Sequence, residues 1–476
     1  MATVDYARSS RRRRVLGSPR RTAVALFLLL FAVYASTIGL DAVGESPYAG
    51  SEPHYLLAAH SLVEDGDLDV LDDYRARAAD VFSLGPLEPR GLLRGARLVE
   101  PYAAGLPLVV APAYAIGGAV GVEVLLAAIA ALGGALAYLL ALRVVPDPWA
   151  LGTSVAVALA PPAIAYGSAV YPEPVCATVL VGAALLAVHL DERPTRSGAL
   201  ACFGLLALVP WLAVELVPAG LVIAVAAWRS LGRSRRTLLR LLGLELVAIS
   251  ATVLFVVSGM LYGGLTPYAA EAPGESPAAT SYPLIYAGRA YRLVALLVDR
   301  ELGLLRWAPV LALALAGLWL LWRGRRQGLA RAVPGYRELE RTGGLCAVSC
   351  GATLAVAAFL VPTVSGPWFP ARHLVAVVPL MVPLAALGAR RTPRVAAALG
   401  FLTLAASVWL YLDVRIGNGG LAADRPDAPW GPLEALFPSF GQTPGPYVLA
   451  AVLGVAVVAV LVLDARRSRA REVMSS

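Results

Sequence analysis

The 476-residue sequence contains no lysine: all 40 of its basic residues are arginine. Charge of any kind is scarce, at 15 % of residues against about 25 % in ordinary soluble domains. Histidine and cysteine are scarce too, with four of each. The apolar set supplies 58 % of the chain, and mean hydropathy is +0.69. This composition excludes a soluble enzyme, a disordered protein and a nucleic-acid reader. Cys176, Cys202, Cys346 and Cys350 all fall inside apolar stretches, so they read as small packing residues, with no disulfide framework or metal knuckle. What the chain has is several apolar windows of about twenty residues, each enough to cross a bilayer core. It is a polytopic membrane protein, all-α in class.

The net charge of +8 is distributed in short Arg runs between the apolar segments, as topology signals are, rather than as a polyanion-binding face. The N-terminal run (Arg8, Arg11 to Arg14, Arg20 and Arg21) precedes an uncleaved first helix and marks residues 1–21 as a cytoplasmic tail. Further Arg-bearing turns occur at 143, 193–196, 228–240, 323–341, 389–394 and 466–471. Placing all of them inside gives spans at 22–40, 121–142, 149–169, 174–190, 198–212, 214–228, 239–262, 303–322, 344–363, 373–388, 395–413 and 446–464. That is about twelve crossings of one transmembrane domain with both termini cytoplasmic. Residues 103–118 are apolar but short and broken by Gly105, Pro107 and Pro112. A crossing there would reverse every later Arg run, so the segment is expected to be re-entrant or interfacial. The first extracytoplasmic region is then 41–120, and 263–302 and 414–445 form two further outer loops. No transporter-type repeat is visible.

The first outer loop is the most informative stretch. Ser51 suits a helix N-cap, Glu52 and Pro53 suit a first turn, and Tyr55, Leu56, Ala59, Leu62 and Val63 form an apolar stripe. An amphipathic helix at the membrane surface is expected, with Glu52 and His54 at its start. Asp65, Asp67 and Asp69 alternate as in a calcium loop, but Val70 replaces the turn glycine and the distal Glu is missing, which favours a hydrated turn. Other outer turns hold Glu173 in YPEP, Glu215 after Pro210, Asp299 and Arg300 with Glu301, and Trp368, Arg372 and His373 in PWFPARH. Each alone reads as an interfacial anchor. Together, carboxylates and arginines on one face beside a re-entrant segment suit a lipid-phosphate substrate, which needs cationic donors, a carboxylate base and apolar walls.

The run SEPHYLLAAHSLVEDGDLDV resembles the first-loop motif of a group of membrane proteins in the GT-C glycosyltransferase class. GLPLVVAPAYAIGG, YPEP, LLVDRELGLLRWAPV and WFPARHLVAVVPLMVPLAALG follow in that group's order, so the resemblance spans residues 22–390. It implies a many-helix bundle with interfacial helices in a large first outer loop. It also implies a polyprenyl-phosphate-linked sugar donor, an extracytoplasmic acceptor and chemistry at the outer bilayer face. By position, Glu52 matches the second acid of the class's Asp-Glu pair, Glu173 the acid of the second outer loop, and Arg372 a basic residue toward the donor phosphate. Ser51 stands where the first acid is expected, and an acidic Glu215 is a second departure.

The expected mechanism has Glu52 as general base and Arg372, with Arg300, on the lipid phosphate. Glu173 orients the acceptor or joins His54 in holding a divalent cation. Asp299 and His373 complete the expected substrate contacts. A flippase for lipid-linked sugars is the rival, but such a protein places its ionisable groups near the midplane. A catalytically inactive relative is the third reading, kept open by Ser51.

Overall fold

The computed structural model describes residues 18–83, 85–271, 286, 288–329, 333, 335–364, 366–417, 419–422, 437–440, 445–452, 454–456 and 459. The Arg-rich residues 1–17, the middles of the loops 263–302 and 414–445, the end of the span 446–464 and the Arg run 466–471 lie outside the described residues.

Proline in the first turn starts helix after helix, where its missing N–H costs nothing and its fixed φ suits the helix. This holds for α1 (Pro19–Ala35) and α2 (Glu52–Glu64). After α3 (Leu71–Ala76) comes a two-stranded hairpin, Leu93–Arg94 with Arg97–Leu98, turned at Gly95 with φ +63°. The bundle continues with α4 (Gly105–Ala141), α5 (Trp149–Ala158), α6 (Pro161–Ala165), α7 (Pro172–Glu192), α8 (Arg196–Leu212), α9 (Val217–Arg233) and α10 (Thr237–Leu261). It closes with α11 (Arg292–Val298), α12 (Leu304–Trp307), α13 (Ala312–Arg326), α14 (Tyr336–Phe359), α15 (Arg372–Val375), α16 (Val378–Arg391) and α17 (Pro393–Ile416).

Every anticipated span from 22–40 to 395–413 meets a helix, and among the described residues six helices are long and apolar enough to cross a bilayer by themselves. The shorter ones follow from proline. The 149–169 span breaks at Pro161 into α5 and α6, and the 303–322 span breaks at Pro309 between α12 and α13.

The 103–118 segment is continuous with the next span only in name. Helical geometry fails inside α4 at Gly117 and Gly118, the latter with φ +58°. The chain doubles back so tightly that a Cβ on Gly121 would collide with the Ala113 carbonyl. Residues 105–116 therefore form a separate arm, and the Tyr114 hydroxyl on it lies 3.2 Å from His60 Nδ1 of α2. Close backbone approach also sets the α13–α16 crossing, where a Cβ on Gly317 or Gly388 would strike the carbonyl of Leu384 or Leu313.

At one end of the bundle the Arg turns meet. Arg143 pairs with Glu192 at 2.5 Å and with Glu338 at 3.4 Å, while Asp191 accepts from both Arg233 and Arg341. The turns near 143, 193, 233 and 341 thus share one face, as the sequence required of them. Helix α2 departs from expectation. It is not a surface helix: Glu52 to Ala59 are all buried, and α2 packs against α4. Ser51 occupies the N-cap position but its hydroxyl makes no capping bond.

Candidate functional site

The end of the bundle that carries α2 holds a cavity of about 220 Å³. It is walled by the start of α2, Arg90 with residues 101–103, the start of α7, the α8–α9 turn, residues 267–271, and residues 361–373. At its centre is an ion pair. Arg372 Nε donates to Glu173 Oε1 at 2.5 Å, with side-chain exposures of 14 % and 6 %. The guanidinium carbon lies 4.3 Å from the Tyr171 ring centroid and 4.8 Å from that of Trp368, so two aromatic faces hold the cation as well. Arg372 is aimed by its neighbour: Ala371 takes φ +66°, a left-handed conformation that costs a non-glycine residue roughly 1–2 kcal/mol. Glu173 is fixed in the first turn of α7 by the YPEP sequence, and its Oε2 is buried without a hydrogen-bond partner. A pre-aligned guanidinium facing open space is an anion site.

His373 lines the same cavity, with Nε2 3.1 Å from the Thr363 carbonyl. The α8–α9 turn contributes Glu215.

Glu52 is elsewhere. Its Oε1 accepts from the Val170 N–H at 2.7 Å and its Oε2 from the Ala49 N–H at 2.9 Å, and it is 3 % exposed. It lines a separate cavity of about 30 Å³ with Tyr48, Glu123 and Tyr171. Glu52 is thus a tie between the first long loop and the turn before α7, and it is not placed to take a proton from a substrate in the larger cavity. Burial raises its pKa to about 7 despite the two N–H donors. Ser51, one residue earlier, does line the larger cavity, and its Oγ is buried and unpartnered.

The remaining expected site residues also part company. His54 Nδ1 is 3.0 Å from the Tyr74 hydroxyl and 3.4 Å from Glu100 Oε1, in a buried network that does not reach Glu173. Asp299 Oδ1 accepts from the N–H groups of Glu301 and Leu302, and its Oδ2 from that of Phe440, while the Arg300 N–H donates to the Pro438 carbonyl. These two residues tie the 299–302 turn to residues 438–440 and do not line the cavity. Among the described residues the carboxylates of Asp65, Asp72 and Asp73 are the only metal-type triad to converge, within 4.8 Å, and none of the three lines the cavity. The residues named for a divalent cation therefore do not fit one at this site.

Sequence reasoning missed Tyr102, Tyr268 and Arg90 in the cavity wall. Their one signal was polar aromatic and basic character inside loops too long to be mere connectors.

No protein-family description and no curated protein sequence matches the chain. Solved structures do match in three dimensions, two crystal structures of one protein among them. The crystal structure of ArnT from Cupriavidus metallidurans in the apo state has 15 % identity and a TM-score of 0.51, covering 84 % of this chain and 70 % of that one. The same protein bound to undecaprenyl phosphate gives 16 % identity and a TM-score of 0.52, covering 84 % and 73 %. The chain has the ArnT fold. The all-α polytopic membrane bundle expected from the sequence is the fold that this likeness to ArnT shows.

Proposed function

We propose that this protein is a membrane glycosyltransferase that moves a sugar from a polyprenyl-phosphate donor to an acceptor in the cell envelope. The observation that carries the reading is the half-buried Arg372, clamped by Glu173 and two aromatic rings on the wall of an open cavity. A monoanionic lipid phosphodiester placed there pairs with the guanidinium, and Arg372 stabilises the charge that grows on the phosphate as it leaves. The binding of undecaprenyl phosphate by ArnT, which shares this fold, supports that donor class. Glu173 holds the guanidinium in place and presents its second oxygen to the acceptor. The Arg-rich end of the bundle is assigned to the cytoplasm and the cavity to the opposite face of the membrane. A single displacement at the anomeric carbon inverts its configuration.

The test is sugar transfer by the purified protein in lipid, using radiolabelled polyprenyl-phosphate sugars and extracted envelope acceptors. Wild type is expected to transfer label from at least one donor, and Arg372→Ala to lose both transfer and binding of the lipid phosphate. Movement of labelled lipid across the bilayer with no transfer from any donor would refute the enzyme reading in favour of a transporter.

A further inference from the structure

The first long loop gives the cavity Ser51, Tyr55, Arg90, Pro101, Tyr102 and Ala103, and no carboxylate among them. A hydroxyl nucleophile still needs an acceptor for its proton. Three carboxylates line the cavity: Glu173, Glu215 and Glu271. Glu173 is committed to Arg372, whose Nε lies 2.5 Å from its Oε1. Glu271 is bridged through its backbone to Gly91 and has a further interaction of its own. Glu215 differs from both. Among the described residues its carboxylate takes a hydrogen bond only from its own backbone N–H.

We infer that Glu215 is the general base for the acceptor hydroxyl, replacing the acid that Ser51 removes from the first long loop. The inference rests on the glycosyltransferase reading above.

The turn that carries Glu215 is built to hold still. It is a single 3₁₀ turn, Val214–Leu216, between α8 and α9. Just before it, Trp211 Nε1 donates to Ser250 Oγ at 2.9 Å, and Ser250 donates on to the Ala207 carbonyl at 2.8 Å. The Trp211 carbonyl packs directly on Gly105, where a Cβ would have no room. The start of the 105–116 arm and α10 therefore brace the turn from two sides. Glu215 lies within electrostatic reach of both Glu173 and Arg372, so a base and a phosphate ligand face one cavity.

In the step itself, the acceptor O–H proton passes to a Glu215 oxygen as the acceptor oxygen bonds to the anomeric carbon. The bond from that carbon to the phosphate oxygen breaks, and its electron pair leaves with the lipid phosphate beside Arg372. Protonated Glu215 then releases its proton to water.

The experiment uses the full-length protein in lipid nanodiscs, with the donor and acceptor that support wild-type transfer. Glu215→Gln, close in shape and neutral, is expected to lower kcat by about 10²–10⁴-fold while undecaprenyl-phosphate binding is unchanged. Glu215→Asp is expected to restore part of kcat and to move the acid limb of the kcat/KM profile. Wild-type kcat in Glu215→Gln would overturn the assignment. So would loss of lipid-phosphate binding along with activity, which would make Glu215 structural. A wild-type protein that transfers no sugar overturns the proposed function itself, an outcome readable before any variant is made.

Discussion

Replacing Arg372 by glutamine strands Glu173, a carboxylate whose side chain is 6 % exposed and whose Oε2 already lacks a hydrogen-bond partner. Breaking a buried pair from one side costs about 3–5 kcal/mol, because the remaining charge keeps its desolvation penalty and loses its compensation. The converse variant, Glu173→Gln, is cheaper. Its arginine keeps the Tyr171 and Trp368 faces at 4.3 and 4.8 Å, each worth about 0.5–2 kcal/mol to a desolvated cation, so a loss of about 1–3 kcal/mol is expected. The double variant removes both charges and keeps both shapes, so it should sit near the Glu173→Gln value. The cycle then gives a coupling of about 2 kcal/mol or more, measured by reversible denaturant unfolding in detergent micelles. Strict additivity, with coupling under about 0.5 kcal/mol, would refute the claim that this is a desolvated pair rather than two independently hydrated groups.

Three other outcomes follow from the same reasoning. Glu52 is held near a pKa of about 7 in the folded protein against an ordinary 4.5. The folded state thus binds the extra proton between those values, and stability should fall as pH rises from about 4.5 to about 7 and level off above; Glu52→Gln should flatten that slope in thermal melts taken across the range. Ser51→Ala removes a buried hydroxyl with no partner and should leave the fold as stable or up to about 1 kcal/mol more so, checked by the same unfolding assay. Gly388→Val drives a side chain into the Leu313 backbone and should cost about 1–3 kcal/mol or more, whereas Gly351→Ala in α14, with open space at its Cβ, should gain about 0.5–1 kcal/mol of helix propensity.

Much of the bundle was legible because its signals are local. A proline fits a helix start wherever it falls, so the beginnings of α1, α2, α7 and α17 could be read from neighbours alone. The break at Gly117 and Gly118 has the same local origin. The Arg turns were harder evidence, since charge cannot stay in a bilayer core and must gather at one face, as Arg143, Arg233 and Arg341 do. Arg372, Glu173 and His373 were found for a related reason: ionisable groups at the ends of apolar helices are few, and here they converge.

The sequence by itself therefore determined the class, the order of the helices and the short set of ionisable residues from which a site must be drawn. Only the tertiary structure decided which of them share a cavity. Glu52 and Ser51 are adjacent in the chain, yet the first turn of α2 sends the carboxylate to the amides of Ala49 and Val170 and leaves the hydroxyl in the cavity wall. Glu215 is 42 positions from Glu173 and 157 from Arg372, and no periodicity links them. They face one space because α7, α8 and the 361–373 turn pack together, and side-chain direction at a helix end is set by what packs against it, which residue order does not specify.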